Sequence, residues 1–383
     1  TGTLQTITVS TAALTPAVGV SPNNANVVAG TSLVKVGSFD FTSRYSYFTV
    51  DKIQVTVPNG AATSVSSVTL RYPNASGVST DSTAVLASPS TVEATATATF
   101  TGLTFYIPSN STKKLDVYVN LAGIQNDADS GKVITVTLSD TAGFNDTDSA
   151  GTADTVLIGS GDLASSATSG KGTMYVRKSV PTLSAVALDS STLTEGSDKT
   201  IARFKVTADA AGDIAWAKLA FKIQKTFGIT LGATTTQKLW QGSSSIDGTF
   251  ATTTIVATDS GTAQAFPSAN ISAATTDLNL VFIPTSEQTV SAGTSLTYEL
   301  RTTVGGLATN GNSLDISIPN FQTTASTTAT AAQVGRGPAT TNSLTWSDKS
   351  IVSATHSLTT ADWTDDYLVN TLPLTVGNMS RTI

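Results

Sequence analysis

Acidic side chains crowd one stretch of the chain, where Asp127, Asp129, Asp140, Asp146, Asp148, Asp154 and Asp162 follow one another with Lys132 as the only base among them. Hard oxygen donors two residues apart, as in Asn126-Asp127-Ala128-Asp129 and Asn145-Asp146-Thr147-Asp148, can face one ion from a tight loop. Calcium is therefore the one cofactor to consider, with Asp127, Asp129, Asp146 and Asp148 as its candidate ligands. Neither run completes an EF-hand loop, and Asn and Asp serve equally well as turn caps that bond their own backbone.

Catalytic chemistry near neutral pH is thinly supplied, because the chain has one histidine and no cysteine. His356 lies in Ser353-Ala354-Thr355-His356-Ser357, which reads as a solvated polar linker; a serine relay there needs a carboxylate brought behind the ring by the fold. Glutamate occurs only at Glu93, Glu195, Glu287 and Glu299, and no pair suggests glycoside hydrolysis. No helix follows Gly159-Ser160-Gly161 or Gly170-Lys171-Gly172, so neither makes a phosphate loop. No enzyme activity is expected. Asn-X-Ser/Thr triplets at Asn74, Asn110, Asn145, Asn270 and Asn378 are candidate glycosylation sites, and such triplets also arise by chance in a Thr/Ser-rich chain.

Stepping out from these groups, charged residues make up only 13% of the 383 positions and the formal net charge is −6, which argues against a nucleic-acid partner because phosphate binding needs gathered Lys and Arg. No apolar run is long enough to span a membrane. Without cysteine, no disulfide can staple the fold, and core burial must hold it. Thr and Val abound while Glu, Met, Lys and Gln are scarce, so strands should dominate.

Two long segments share one order of strands and turns. Gly30 to Val36 leads into Phe39-Asp40-Phe41-Thr42, as Gly196 to Ile201 leads into Phe204-Lys205-Val206-Thr207. Phe48, Val50, Lys52, Ile53, Val55 and Val57 then match Ile214, Trp216, Lys218, Leu219, Phe221 and Ile223 without a gap. Leu70-Arg71-Tyr72 parallels Leu239-Trp240-Gln241, and Tyr106-Ile107-Pro108 parallels Phe282-Ile283-Pro284, the proline closing each strand because it cannot donate to a ladder. Leu115 to Val119 parallels Leu296 to Leu300, followed by Gly123-Ile124 and Gly306-Leu307. Ile134, Val136 and Leu138 alternate with threonines as Leu314, Ile316 and Ile318 alternate with polar residues, the period of a half-buried strand.

This pattern predicts an all-β chain of two tandem antiparallel Ig-like β-sandwich domains, residues 1–179 and 180–353, followed by an extended C-terminal tail, residues 354–383. Helical turns are expected only near Leu121 to Asp129 and Thr359 to Tyr367. The Gly-opened strand, the inner lysine, the Ile-Pro strand and the Gly-Ile/Leu turn resemble the repeated Ig-like modules of large cell-surface proteins from candidate-phylum (patescibacterial) bacteria. Trp346-Ser347-Asp348-Lys349-Ser350, Ala361-Asp362-Trp363 and Tyr367-Leu368-Val369 are similar to the endings of such proteins. The resemblance implies a secreted surface-layer, fibre or envelope role and carries over no catalytic residue.

Charge-poor strand edges are templates for other strands. The N-terminal Leu4, Ile7 and Val9 fit a strand, either the first of domain 1 or a contact between copies, and the tail carries Trp363, Tyr367, Leu368, Val369, Leu372, Leu374 and Val376. That much apolar surface must pack on domain 2 or insert into a neighbouring copy. The expected function is self-assembly into an extracellular filament or surface layer, with copies of itself as partner and glycans or other envelope proteins as further candidates. The competing reading is an adhesin or carbohydrate-binding module that presents Tyr45, Tyr47, Tyr72, Trp216 and Trp240, although Trp216 takes the core position matched to Val50.

Overall fold

The computed structural model describes residues 11–58, 61–86, 95–124, 129–140, 143–156, 163–165, 172–233, 236–254, 271, 276–307, 311–324, 328–337, 342–351 and 355–381. Leu4, Ile7, Val9, Asp127 and Asn270 lie outside them. The chain divides into two compact units, Thr1–Val176 and Arg177–Ile383.

Each unit packs antiparallel sheets around its own apolar cluster, as the alternating sequence demands. One sheet of the first unit orders Ala13–Val18, Val34–Arg44, Thr112–Leu121, Val65–Pro73 and Ser79–Val85. One sheet of the second orders Pro181–Ala185, Gly196–Ala208, Ser295–Gly305, Lys238–Gln241 and Ser244–Ser245. In these two sheets the segments matched in sequence hold like places, Val34–Arg44 with Gly196–Ala208, Thr112–Leu121 with Ser295–Gly305 and Val65–Pro73 with Lys238–Gln241. In the facing sheets Phe48–Val57 lies beside Ala96–Ile107, and Ile214–Lys225 lies beside Asp277–Pro284. The inner faces meet through aromatic pairs at usual ring separations, Phe41 on Phe105 at 5.2 Å in one core and Trp216 on Tyr298 at 5.4 Å in the other.

Three details differ from the expectations. The tail does not stand apart. Leu374–Arg381 is a strand paired antiparallel with Asn312–Ile318, and Val369, Leu372, Val376 and Met379 are buried in the second core. Trp363 is fully buried against Ala215, Ala217 and Ala331, while Tyr367, Leu368 and Leu374 are half-buried on the same unit. These side chains find burial within their own chain, and Leu374–Arg381 takes the outermost place in its sheet. The second is the joint: the division between the compact units falls after Val176, close to the expected Ser179. The third concerns helix: residues 359–367 form turns and the short strand Trp363–Thr364, and the α-helix is Ala331–Val334. Its signal was a capping box, with the Thr330 side chain accepting from the Gln333 N–H and Gln333 reaching back to the Thr330 N–H.

Burying four apolar tail side chains is worth on the order of 5–10 kcal/mol, comparable with the whole stability of a domain. Deletion of residues 357–383 should therefore abolish cooperative unfolding of the second unit. All four tryptophans, Trp216, Trp240, Trp346 and Trp363, belong to that unit, so intrinsic fluorescence reads it selectively. A truncated chain with native emission and an unchanged urea transition would contradict this assignment.

Candidate functional site

The chemically capable groups of the second unit gather on the outer side of Ile214–Lys225. That strand is buried along nearly its whole length. Ile214, Trp216, Leu219, Phe221 and Ile223 enter the sandwich core, whereas Ala215 and Ala217 pack under a further layer containing the Ala331–Val334 helix and Trp363. Alanine on this face lets the layer approach closely. A β-bulge between Trp216 and Lys218, opposite Trp346 and Thr345, breaks the alternation at the lysine.

Lys218 is completely buried. Its Nζ donates to the Gly335 carbonyl at 2.7 Å and to Asn342 Oδ1 at 2.8 Å. Asn342 is held in turn by Nδ2 donating to Thr345 Oγ1 at 2.7 Å and to the Leu344 carbonyl at 3.1 Å. Next to Asn342, the Ser343 hydroxyl donates to Asp366 Oδ2 at 3.0 Å, and the Phe321 N–H donates to the same oxygen at 2.6 Å. Asp366 Oδ1 is buried without a hydrogen-bond partner among the described residues. Burial pulls the Lys218 ammonium down to about 7 against the opposing pull of Asp366, and burial pushes the Asp366 carboxyl above its usual range. The adjoining Asp365 is pushed up to about 6 by the same cause, while its carbonyl accepts from Trp346 Nε1 at 2.7 Å.

Beside this cluster, His356 departs from the solvated linker expected of it. Its side chain is only 8% exposed and stacks near Trp363, with ring centroids 5.4 Å apart. Nδ1 meets Glu287 at 2.8 Å, and Nε2 lies 2.9 Å from Ser347 Oγ and 3.2 Å from Asp362 Oδ1. These are the separations of a serine, histidine and acid relay. Access is missing, since Ser347 is fully buried and its oxygen also accepts the Lys349 N–H at 2.9 Å. The ring instead ties Glu287 to the segment around Ser347 and Asp362. Spacing gave no hint of this, because Glu287 is 69 residues away.

The described calcium candidates lie in the first unit. Asp129 is exposed and pairs with Lys132 at 3.8 Å. Asp148 Oδ1 caps a turn by accepting from Ala150 and Thr152 N–H, both at 2.9 Å. Asp146 is buried opposite Asp154, and burial, then Asp154, Asp148 and Asp51, push its carboxyl up to about 7. No group of three or more His, Asp or Glu suited to a metal occurs among the described residues. Of the sequon residues, Asn110 and Asn378 are exposed; Asn74 and Asn145 are partly buried, with Asn74 closing a turn and Asn145 donating to Asp51 at 2.6 Å.

No protein-family model and no curated protein matches the chain. Among solved structures, one described as BspA_C_WT is similar at 10% identity over 79% of this chain and 94% of that one, with a TM-score of 0.20. The C-terminal domain of the Streptococcus pyogenes antigen I/II-family protein AspA is similar at 8% identity over 80% and 94%, with a TM-score of 0.20. A partial N-terminal region of an enterococcal surface protein follows at 7% identity over 82% and 92%, with a TM-score of 0.22. Likenesses this distant carry no conclusion about chemistry or partners.

Two predictions follow from the geometry. Replacing His356 by Ala leaves Glu287 and Asp362 facing each other without the ring between them, and should lower the stability of the second unit by roughly 2–4 kcal/mol in fluorescence-monitored urea unfolding; an unchanged midpoint would refute the bridging role. For Asp146, a folded pKa above the ordinary carboxylate value near 4 means that stability is lost as pH rises from about 4 to about 7. Asp146→Asn should therefore melt near wild type at pH 4 and several degrees higher at pH 8 by calorimetry, and a pH-independent difference would exclude this origin.

Proposed function

We propose that the chain is a non-enzymatic structural module of a bacterial or archaeal cell surface, secreted and assembled with copies of itself into a filament or layer. The observation that carries this reading is that the second unit's reactive groups are sealed inside it: Lys218, Ser347 and Asp366 are fully buried and His356 nearly so. They hold layers together and present nothing to a substrate. The matched strand orders of the two units support a duplicated module, the usual means of building length from one β-sandwich.

Since the tail is occupied within its own unit, contacts between copies fall to the N-terminal segment bearing Leu4, Ile7 and Val9 and to open sheet edges. Ser79–Val85 is such an edge. Its one charge, Asp81, is engaged by Arg71 at 2.7 Å, and Val85 is 77% exposed. The full chain should form regular assemblies in negative-stain images and on sizing, and either deletion of residues 1–10 or the pair Thr83→Lys and Val85→Lys should reduce them severalfold without changing the melting temperature. Monomer at all concentrations would overturn the proposal.

One observation favours the adhesin reading as runner-up. Tyr45 and Tyr47 are 62% and 39% exposed, and Tyr47 lies 5.4 Å from Tyr106, a small aromatic platform at one end of the first unit. Trp216 and Tyr72 are core residues and leave that list. Binding of monomer to a glycan array, lost in Tyr45→Ala with Tyr47→Ala, would select this reading; no binding would remove it.

A further inference from the structure

We infer that Lys218 and Asn342 become joined by an intramolecular amide bond, formed by the protein itself with Asp366 as the proton carrier. The inference rests on the buried cluster alone and does not depend on the surface role.

The geometry is that of reactants held for attack. A hydrogen bond of 2.8 Å from Lys218 Nζ to Asn342 Oδ1 puts the amine about 3–4 Å from the amide carbon, because a C=O bond is about 1.2 Å long. Both residues are completely buried, and both are fixed by further bonds: Nζ to the Gly335 carbonyl at 2.7 Å, Nδ2 to Thr345 Oγ1 at 2.7 Å and to Leu344 O at 3.1 Å. The carboxamide is thus oriented with its oxygen toward the amine. Asp366 is anchored by Ser343, the residue next to Asn342, and by the Phe321 N–H, with its second oxygen buried and unpartnered among the described residues. Trp363, fully buried, belongs to the same layer as the Ala331–Val334 helix, and Trp346, fully buried in the sandwich core, donates to the Asp365 carbonyl beside Asp366.

Burial favours the neutral amine and the neutral carboxylic acid, the pair of forms that the reaction requires. The Nζ lone pair attacks Cγ of Asn342 while Asp366 protonates the carbonyl oxygen. The resulting carboxylate takes a proton from the attacking nitrogen, and the carbonyl re-forms as the Cγ–Nδ2 bond breaks. The hydroxyl proton and the proton held by Asp366 are redistributed so that ammonia departs and Asp366 ends as the acid it began as. One C–N bond forms and one breaks, one ammonia is released, and no oxidant or further reactant is consumed.

The matched lysine of the first unit provides an internal control. Lys52 is only partly buried on Phe48–Val57, and the asparagine in register with it, Asn145, turns its amide to Asp51. No link is expected there.

The test is intact-mass measurement of the unfolded full chain, incubated at neutral pH to constant mass. The expected result is a loss of about 17 Da from the sequence mass, with proteolysis and tandem spectra placing a branched peptide at Lys218 and Asn342. Asp366→Asn should keep the full sequence mass, or acquire the loss at least tenfold more slowly, with native tryptophan emission as the check on folding. Wild-type protein at full mass, or a link at other residues, would overturn the inference whatever the variants do. Complete linkage at wild-type rate in Asp366→Asn would overturn the part given to Asp366.

Discussion

Everything in the second unit turns on a strand that faces apolar material on both sides. Ile214–Lys225 contributes one face to the sandwich core and the other to a layer built from the Ala331–Val334 helix, Trp363 and the segments around them. A sheet covered twice keeps polar atoms from water, so the hydrophilic groups near it bond within the protein, with Asp366 Oδ1 left unpartnered among the described residues. Lys218, Asn342, Ser343, Asp366, His356 and Glu287 are the response to that constraint. The same enclosure moves Lys218 and Asp366 toward their neutral forms.

The first unit shows the matched lysine in another setting. Lys52 occupies the position matched to Lys218 but stays partly exposed, and the acidic stretch of this unit ends in turn caps and one buried carboxyl. The two units share matched strands in one sheet each, and the second adds a layer over Ile214–Lys225. Their common framework is set by Phe, Leu, Ile and Val alternation; the difference comes from residues 319–366, where Ala, Trp and Asp replace ordinary surface composition.

Several strands were legible because the period of two is a local property, visible in Leu314, Ile316 and Ile318, whereas the like run Ile134, Val136 and Leu138 is split between Val133–Ile134 and Thr137–Leu138, which pair in different sheets. The role of residues 354–383 was half legible: the need of Trp363, Val369 and Val376 for burial can be read from their types, but which surface receives them depends on a sheet edge completed far away in sequence. His356 misled for the same reason. Its neighbours in sequence are small and polar, and its neighbours in space come from residues 287, 347 and 362. Lys218 carried a signal that went unused, since a lysine inside an otherwise apolar strand must be either paired or at its edge.

The antiparallel partner of Asn312–Ile318 is Leu374–Arg381, so the outermost strand of that sheet is also the last of the described chain to be made. As the chain is made from its amino end, the first sandwich can close early, whereas the second lacks a wall until Leu374–Arg381 has been added. Until then the edge of Asn312–Ile318 that receives it is open, and the second core lacks Val376 and Met379.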